Sequence, residues 1–567
     1  MTRIDGRWLG VFPALTLLVM LVPLLSGLWY TLLPSFGYLP SLGFEQWSLQ
    51  AWQALFAHPL TLQASGLSVL SGVLSSGLAL ISALYVLSHC YHRASWRWLQ
   101  RAFAPMLAVP HVALAIGLVF LLAPSGWVLR SLSPWLTGFS YPPLWQSVQD
   151  PYGLSLVLAL WLKELPFLLF MLAVAAGQMP LNASLAVGQS LGYSRAQVWW
   201  RVIIPQLLPR VRLPMLAVLA FACSVVDVAQ VIGPTKPPTL AVLVWQWFSH
   251  SDVSFRLMGA AGALWLLALI GSVLLVYLWL ERHCLRWSLG WQLNGRRHRP
   301  RSDKPAGLLV TAAMLLAGLA MVVMLIWSFA WRWRFPDMLP QTWQLGTWQQ
   351  AAEFAYSPFS QSLLLALSSA LLSLLLCIGC LEYELHSDRA RALRWSKLFY
   401  LPLLVPQVAF LFGLQVQLLK WQLDGRWLGV IWAHTVFVLP YVFLSLADNY
   451  RGFEQRYMQA AVSLNHRPLL SFVQIKLAML AKPIAVAMAV GFSVSIAQYL
   501  PTLFIGAGRF STLTTEAVAL ASGGDRRITA VMVILQSLLP LLVFSLAQLT
   551  TPKRVFKPFS WTFHVRT

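Results

Sequence analysis

The sequence predicts an all-α protein that crosses a membrane about twelve times, built as two homologous six-helix halves. Three observations lead there. Of the 567 residues, 58% are hydrophobic and only 10% charged, more apolar surface than a soluble chain of this length can bury. Apolar runs of the ~20 residues needed to cross a hydrocarbon core recur along the chain. In that core the backbone must satisfy its own hydrogen bonds, and long unbroken Leu/Ala/Val runs point to helices rather than a closed barrel. Finally, the plan of the first half returns in the second.

Taken in order, Arg3 and Arg7 precede an apolar run from Trp8 to about Leu33. It is too long for a signal-peptide core and lacks a clear small-residue cleavage site, so it reads as the first span. The next spans are about Leu62–Leu87, Phe103–Ala123, Leu154–Gln178, Leu213–Ile232 and Leu257–Leu280. A basic loop with Arg93, Arg97 and Arg101 separates the second from the third. Residues 281–305 are polar, basic and broken by Gly and Pro, and read as a cytoplasmic linker between a first half, 1–280, and a second, 306–567. The second half supplies spans at about Gly307–Ala330, Gln361–Leu385, Leu398–Leu419, Leu428–Ala447, Ile484–Ile505 and Ile528–Leu549. Trp-rich flanks suit the two membrane interfaces.

The net charge of +22 raises the question of nucleic acid, but the basic residues lie in short loops and form no separate domain. With the N-terminus inside and twelve alternating spans, 29 of the 40 Lys and Arg residues fall on the inner side, as the positive-inside bias requires. This is expected to place both termini and the linker on the cytoplasmic side of the membrane. Arg509, Arg526 and Arg527 are the exception, in an expected outer loop, where solvated charge explains them slightly better than an external partner.

Two polar stretches interrupt the spans, at 182–209 and 456–483. Aligning Ser190-Leu191 with Ser463-Leu464 sets them 273 residues apart, and at that offset Gly192 meets Asn465, Val202 meets Ile475 and Ile204 meets Leu477. Each reads as two short helices joined by a tight turn. Gly and Asn most readily take the left-handed conformation that closes a helix, so Gly192 and Asn465 are expected at the turns. Ser194 would cap the second helix of one copy, and Pro468 would open that of the other. Further matches pair Val109-Pro110-His111 with Val405-Pro406-Gln407, Ala229-Gln230 with Ala497-Gln498, and Thr239-Leu240 with Thr512-Leu513.

On these residues the chain resembles the permeases of binding-protein-dependent ABC importers, whose coupling loop follows roughly E-A-A-x3-G-x9-I-x-L-P. One copy offers Ala186, Val187, Gly188, Gly192, Val202, Ile204 and Pro205; the other offers Gln459, Ala460, Ala461, Asn465, Ile475 and Leu477. The acidic residue is absent from both, and the second also lacks the Gly and the Pro. The resemblance covers nearly the whole chain and is greatest to the two-domain thiamine and ferric-iron permeases. It implies that each loop docks on an ABC ATPase subunit, two in all, and that a periplasmic or extracellular solute-binding protein delivers the solute. ATP and Mg would then be bound by the partner, with no cofactor in this chain.

Motif searching agrees with a non-enzymatic subunit: there is no GxxxxGK[ST] phosphate cradle, nucleophile elbow or HExxH helix. The five cysteines are scattered, and Cys377 and Cys380, spaced as CxxC inside an apolar run, read as packing residues rather than a metal or redox site. No metal cluster and no catalytic residue is expected. Polar groups inside spans are costly and mark paths or partners. Lys163, Glu164, Asp227, Gln230 and Gln498 are therefore the candidates for a translocation path, with His434 expected nearer the interface. Asp227 also resembles an acidic position in the gate helix of the iron- and thiamine-type permeases. The alternative is a duplicated twelve-span secondary transporter, which would need no ATPase dock. A membrane enzyme would need convergent acids, bases or ligands in its outer loops, and none is visible.

Overall fold

The computed structural model describes residues 8–91, 96, 99, 106–297, 304–386, 397–523 and 525–550. Arg3, Arg7, Arg93, Arg97 and Arg101, both extreme termini and residues 298–303 of the expected linker lie outside the described residues. Within them, nine helices are long and apolar enough to cross a membrane, and twelve spans result if each of three bent helix pairs counts as one. All twelve occur in the expected order, and the only sheet among the described residues is one two-stranded ribbon.

The bends have local causes. The ninth span is Lys397–Leu404 followed by Gln407–Lys420, turned through 99°. Pro406 excludes the helical conformation from the preceding Val405, whose φ and ψ are −96° and 126°. The fifth span, Arg195–Arg210 plus Arg212–Ser224, bends by 68°, and the eleventh, Pro468–Leu477 plus Ala481–Ile496, by 76°. These last two also stop short of their expected outer ends, and each gives way to a separate short helix, Asp227–Ile232 and Leu500–Gly506.

The sixth span runs Phe255–Leu293, 39 residues. At 1.5 Å per residue it is about 58 Å long, against a hydrocarbon core of about 30 Å. Its last turns therefore project beyond the membrane, and the segment expected to be a broken linker starts as helix. Most of its surface points outward, as does that of the first and seventh spans. Exposed stripes such as Leu538, Leu542, Leu546 and Leu549 on the twelfth span repeat every three or four residues and suit lipid contact.

At the centre, the second, fourth and fifth spans pack on one another, and so do the eighth, tenth and eleventh. The first span crosses to the ninth and the seventh crosses to the third, so each half embraces the other. Glycine permits both crossings. A Cβ on Gly117 would stand 3.0 Å from the carbonyl oxygen of Ala320, and the approach of Gly27 to Gly413 is closer still. The same capping device is built twice: the Leu240 N–H donates to Ser68 Oγ at 2.9 Å, and the Leu513 N–H to Ser362 Oγ at 2.9 Å.

The offset of 273 also relates backbone features the residue types hide. Gln149 and Gln422 are both left-handed, at φ 55°. Val226 and Tyr499, which introduce the two short outer helices, share φ near −105° (−106° and −104°). This register corrects the expected pairing of Ala229-Gln230 with Ala497-Gln498. Gln498 lies in the break of its span, between Ile496 and Leu500, whereas Gln230 lies in the short helix that follows the other break.

Candidate coupling loops and the polar interior

The first loop opens with helix Leu181–Ser190. Gly192 closes it at φ 83°, with the Gly192 N–H donating to Gln189 O at 2.9 Å and the Tyr193 N–H to Gly188 O at 3.0 Å. That pair of bonds is a Schellman closure, which needs a left-handed residue where Gly192 stands. Ser194 then caps the next helix, Arg195–Val198, in a reciprocal box: its N–H donates to Gln197 Oε1 at 3.1 Å, and its Oγ accepts from Gln197 N. Gly188 is buried where the two arms touch, since a Cβ there would lie 2.3 Å from Val198 Cγ2. Ala186, Val187 and Val202 are exposed, Pro205 is half-buried and Ile204 is buried.

In the second loop, helix Gln455–Asn465 has no buried residue at all. Asn465 is not left-handed as expected. It is the last helical residue, and His466 takes the left-handed turn at φ 53°, its N–H donating to Val462 O at 2.9 Å. Asn465 acts through its side chain instead. Its Oδ1 accepts from the Arg467 N–H at 2.9 Å and its amide bonds Ser471 Oγ at 2.9 Å, tying the turn to helix Pro468–Ser471. His466 thus takes the left-handed turn that glycine makes in the first copy, one residue later, and the Asn465 carboxamide braces it. Gln459 and Ala460 are exposed; Ala461, Ile475 and Leu477 are half-buried. Leu464 and Leu469 are 86% and 76% exposed, and Leu191, the counterpart of Leu464, is 55% exposed.

In the interior, the structure separates the neighbouring Lys163 and Glu164. The Lys163 ammonium spends its three donors on the carbonyls of Met106, Leu107 and Val109, at 3.0, 3.2 and 2.5 Å. Glu164 turns to His111 Nε2 at 3.3 Å. Asp227, the first residue of its short helix, lies within electrostatic reach of His111 and of Tyr499 from the other half. Gln407, the counterpart of His111, reaches Gln498 at 3.5 Å. Gln230 lies one turn beyond Asp227. The result is a band of polar side chains near the breaks of the fifth and eleventh spans, the start of the third and the bend of the ninth. His434 is not interfacial: it is buried, its Nδ1 2.8 Å from Ser495 Oγ and its Nε2 2.9 Å from Thr502 Oγ1, clasping both sides of the eleventh-span break. Among the described residues no three His, Cys, Asp or Glu side chains are grouped to hold a metal ion.

No family model matches the chain. It is, however, 35% identical over 504 residues to the inner membrane ABC transporter permease protein YnjC of Escherichia coli (strain K12), covering 88% of this chain and 90% of that protein. The chain belongs to the ABC transporter permeases. It is a multi-pass inner-membrane permease.

The permease also carries polar groups that sequence reading missed. Glu384 takes Arg451 in a bidentate pair at 2.8 and 3.0 Å, and Glu281 takes Arg212 likewise at 2.8 and 3.0 Å. Glu382 receives both the Tyr450 hydroxyl and the Lys476 ammonium. All sit at the loop-side ends of spans, where an isolated charge in a basic loop gives no sign of its partner. The cue available was carboxylates near the ends of apolar runs in a chain with few acids.

Proposed function

We propose that this permease is the membrane subunit of an ATP-driven importer, forming the solute path and coupling it to hydrolysis on two separate ATPase subunits. The observation that carries this reading is the second loop: an apolar-tipped helix with Leu464 86% exposed, standing clear of its own protein on the predicted cytoplasmic side. Large apolar side chains held in water on a stable helix suit a protein partner. The first loop offers a similar but smaller face through Val187 and Leu191. ATP and Mg would be held by the partners, and a solute-binding protein would serve the outer face.

Closure of the ATPases would draw the two loops together and rock the spans between outward-open and inward-open states. The path would pass the polar band of Asp227, Gln230, Gln498 and Glu164, with Lys163 anchoring its wall. The likeness to thiamine and ferric-iron permeases rests on sequence around the loops and Asp227 and does not identify the solute. Both termini and the half-to-half linker would be cytoplasmic.

Single cysteines at Ser194 and Arg467 test the arrangement. Both should resist an impermeant thiol reagent in intact cells, react in inside-out vesicles, and be shielded when the ATPases are bound. Labelling of either from outside would refute the orientation; reaction unaffected by the ATPases would refute the dock.

A further inference from the structure

Each loop contains, beyond its left-handed turn, a π-helical turn, Trp199–Ile203 in the first half and Phe472–Leu477 in the second. Such turns are rare and recur at functional sites. Each contains one buried cation: Arg201 is 6% exposed and Lys476 1%. The two are not sequence counterparts, since at the shared offset Arg201 meets Gln474 and Lys476 meets Ile203.

Their surroundings are nevertheless of one kind. The Arg201 guanidinium lies 5.6 Å from the Tyr193 ring centre and 4.9 Å from that of Trp291, and its Nη1 donates to Asn294 Oδ1 at 2.9 Å. The Lys476 ammonium lies 4.4 Å from the Tyr450 ring centre and 5.6 Å from that of Phe453, and is bonded to Glu382. Each cation thus joins the turn behind a coupling helix to the projecting end of another membrane helix: the sixth span through Trp291 and Asn294, the eighth and tenth through Glu382 and Tyr450. Aromatic rings hold a cation while excluding water, so the bond keeps its strength and direction.

We propose that Arg201 and Lys476 are positioning residues, two joints that turn displacement of the coupling loops into movement of the spans. A dock alone gives no reason for burying a charge behind each loop. A joint does, because a loop fastened to the spans only by exposed contacts would move without them. The proposal rests on the importer reading above.

The test uses the permease purified with its ATPase subunits. Cys284 is replaced by Ser, the other four cysteines being buried, and spin labels are placed at Tyr152→Cys and Arg426→Cys on the outer side. The distance between labels is measured by pulsed electron resonance without nucleotide and with Mg·ATP plus vanadate. If the unmodified pair shows no shift, the importer reading fails, and the joint is not what failed. Given a shift there, the neutral pair Lys476→Met with Glu382→Gln, and separately Asn294→Ala, should keep the ATPases bound, within about twofold, and lose most of the shift. Lys476→Arg should restore it. A full shift in both altered proteins overturns the proposal. So does loss of the ATPases, which would make the cations part of the dock, and so does failure of both proteins to fold, which would make them core elements only.

Discussion

Gly27 and Gly413 meet backbone to backbone: a Cβ on Gly413 would stand 1.9 Å from the carbonyl oxygen of Gly27. From the other side, a Cβ on Gly27 would stand 2.3 Å from the carbonyl oxygen of Phe410. This crossing fastens the first span to the ninth, and so one half to the other. Small residues that let backbones approach are how helices associate where lipid offers no hydrophobic drive. Gly413→Ala should therefore cost ~1–3 kcal/mol, the usual penalty of overpacking, and Gly413→Val more. Gly66→Ala is the control, since nothing lies within 4 Å of a Cβ there. Thermal unfolding of the purified protein in detergent reads the difference, and equal stability of the two Ala variants would show that the crossing yields.

The two turns should respond to different substitutions. Gly192→Val places a β-branched residue at φ 83°, at a cost of ~1–2 kcal/mol. Asn465→Val sits in helical backbone and removes only the carboxamide that holds Arg467 and Ser471, a cap-sized loss of ~1 kcal/mol. His466→Gly should relieve the left-handed strain and leave ATPase binding intact. Hydrogen exchange of the two loops compares them. Faster exchange around residue 466 in His466→Gly than in Asn465→Val would contradict this assignment.

Asp150 gives a pH signature in the loop that precedes the fourth span. Burial alone would raise its pKa, but the Ser155 hydroxyl and the N–H groups of Ser155 and Leu154 outweigh that and hold it below the ordinary 3.8. A group depressed on folding stabilises above its unfolded pKa and loses that contribution as pH falls through the folded value. Asp150→Asn should therefore be less stable than the parent at pH 7, by ~1.5–3 kcal/mol for bonds to a charged group. The gap should narrow below about pH 4. An unfolding deficit that does not change between pH 7 and pH 3 would refute the carboxylate's role.

The proposal that Asp227, within electrostatic reach of His111 and Tyr499, lines the path has its own test. Asp227→Cys, with Cys284 replaced, should react with a small cationic thiol reagent, and the rate should change severalfold when the ATPases are trapped with vanadate. A rate that stays near zero in every state would take Asp227 off the path.

The number and order of spans were legible because hydrophobic length alone decides them. The breaks near Val225 and Gln498 were not, because the apolar runs continue through them and only the backbone shows the interruption. The turn at Gly192 was readable from glycine's freedom. That at Asn465 was misplaced by one residue, since Asn can serve a turn through its backbone or its carboxamide and the sequence does not say which. Lys476 passed as one more basic loop residue; its burial depends on Glu382 and Tyr450, 94 and 26 residues away in the chain.

The central claim is that the exposed loop helices are docks for an ATPase, and Leu464 tests it most directly. Replacing Leu464 with Asp puts a charge on a tip that is 86% exposed, where the side chain has little contact with the rest of the permease. Affinity of the purified permease for its ATPase subunits should fall at least tenfold, about 1.4 kcal/mol, while thermal stability of the permease stays unchanged. Unaltered ATPase affinity in Leu464→Asp, and again when Leu469→Asp and Leu191→Asp are added, would contradict the account.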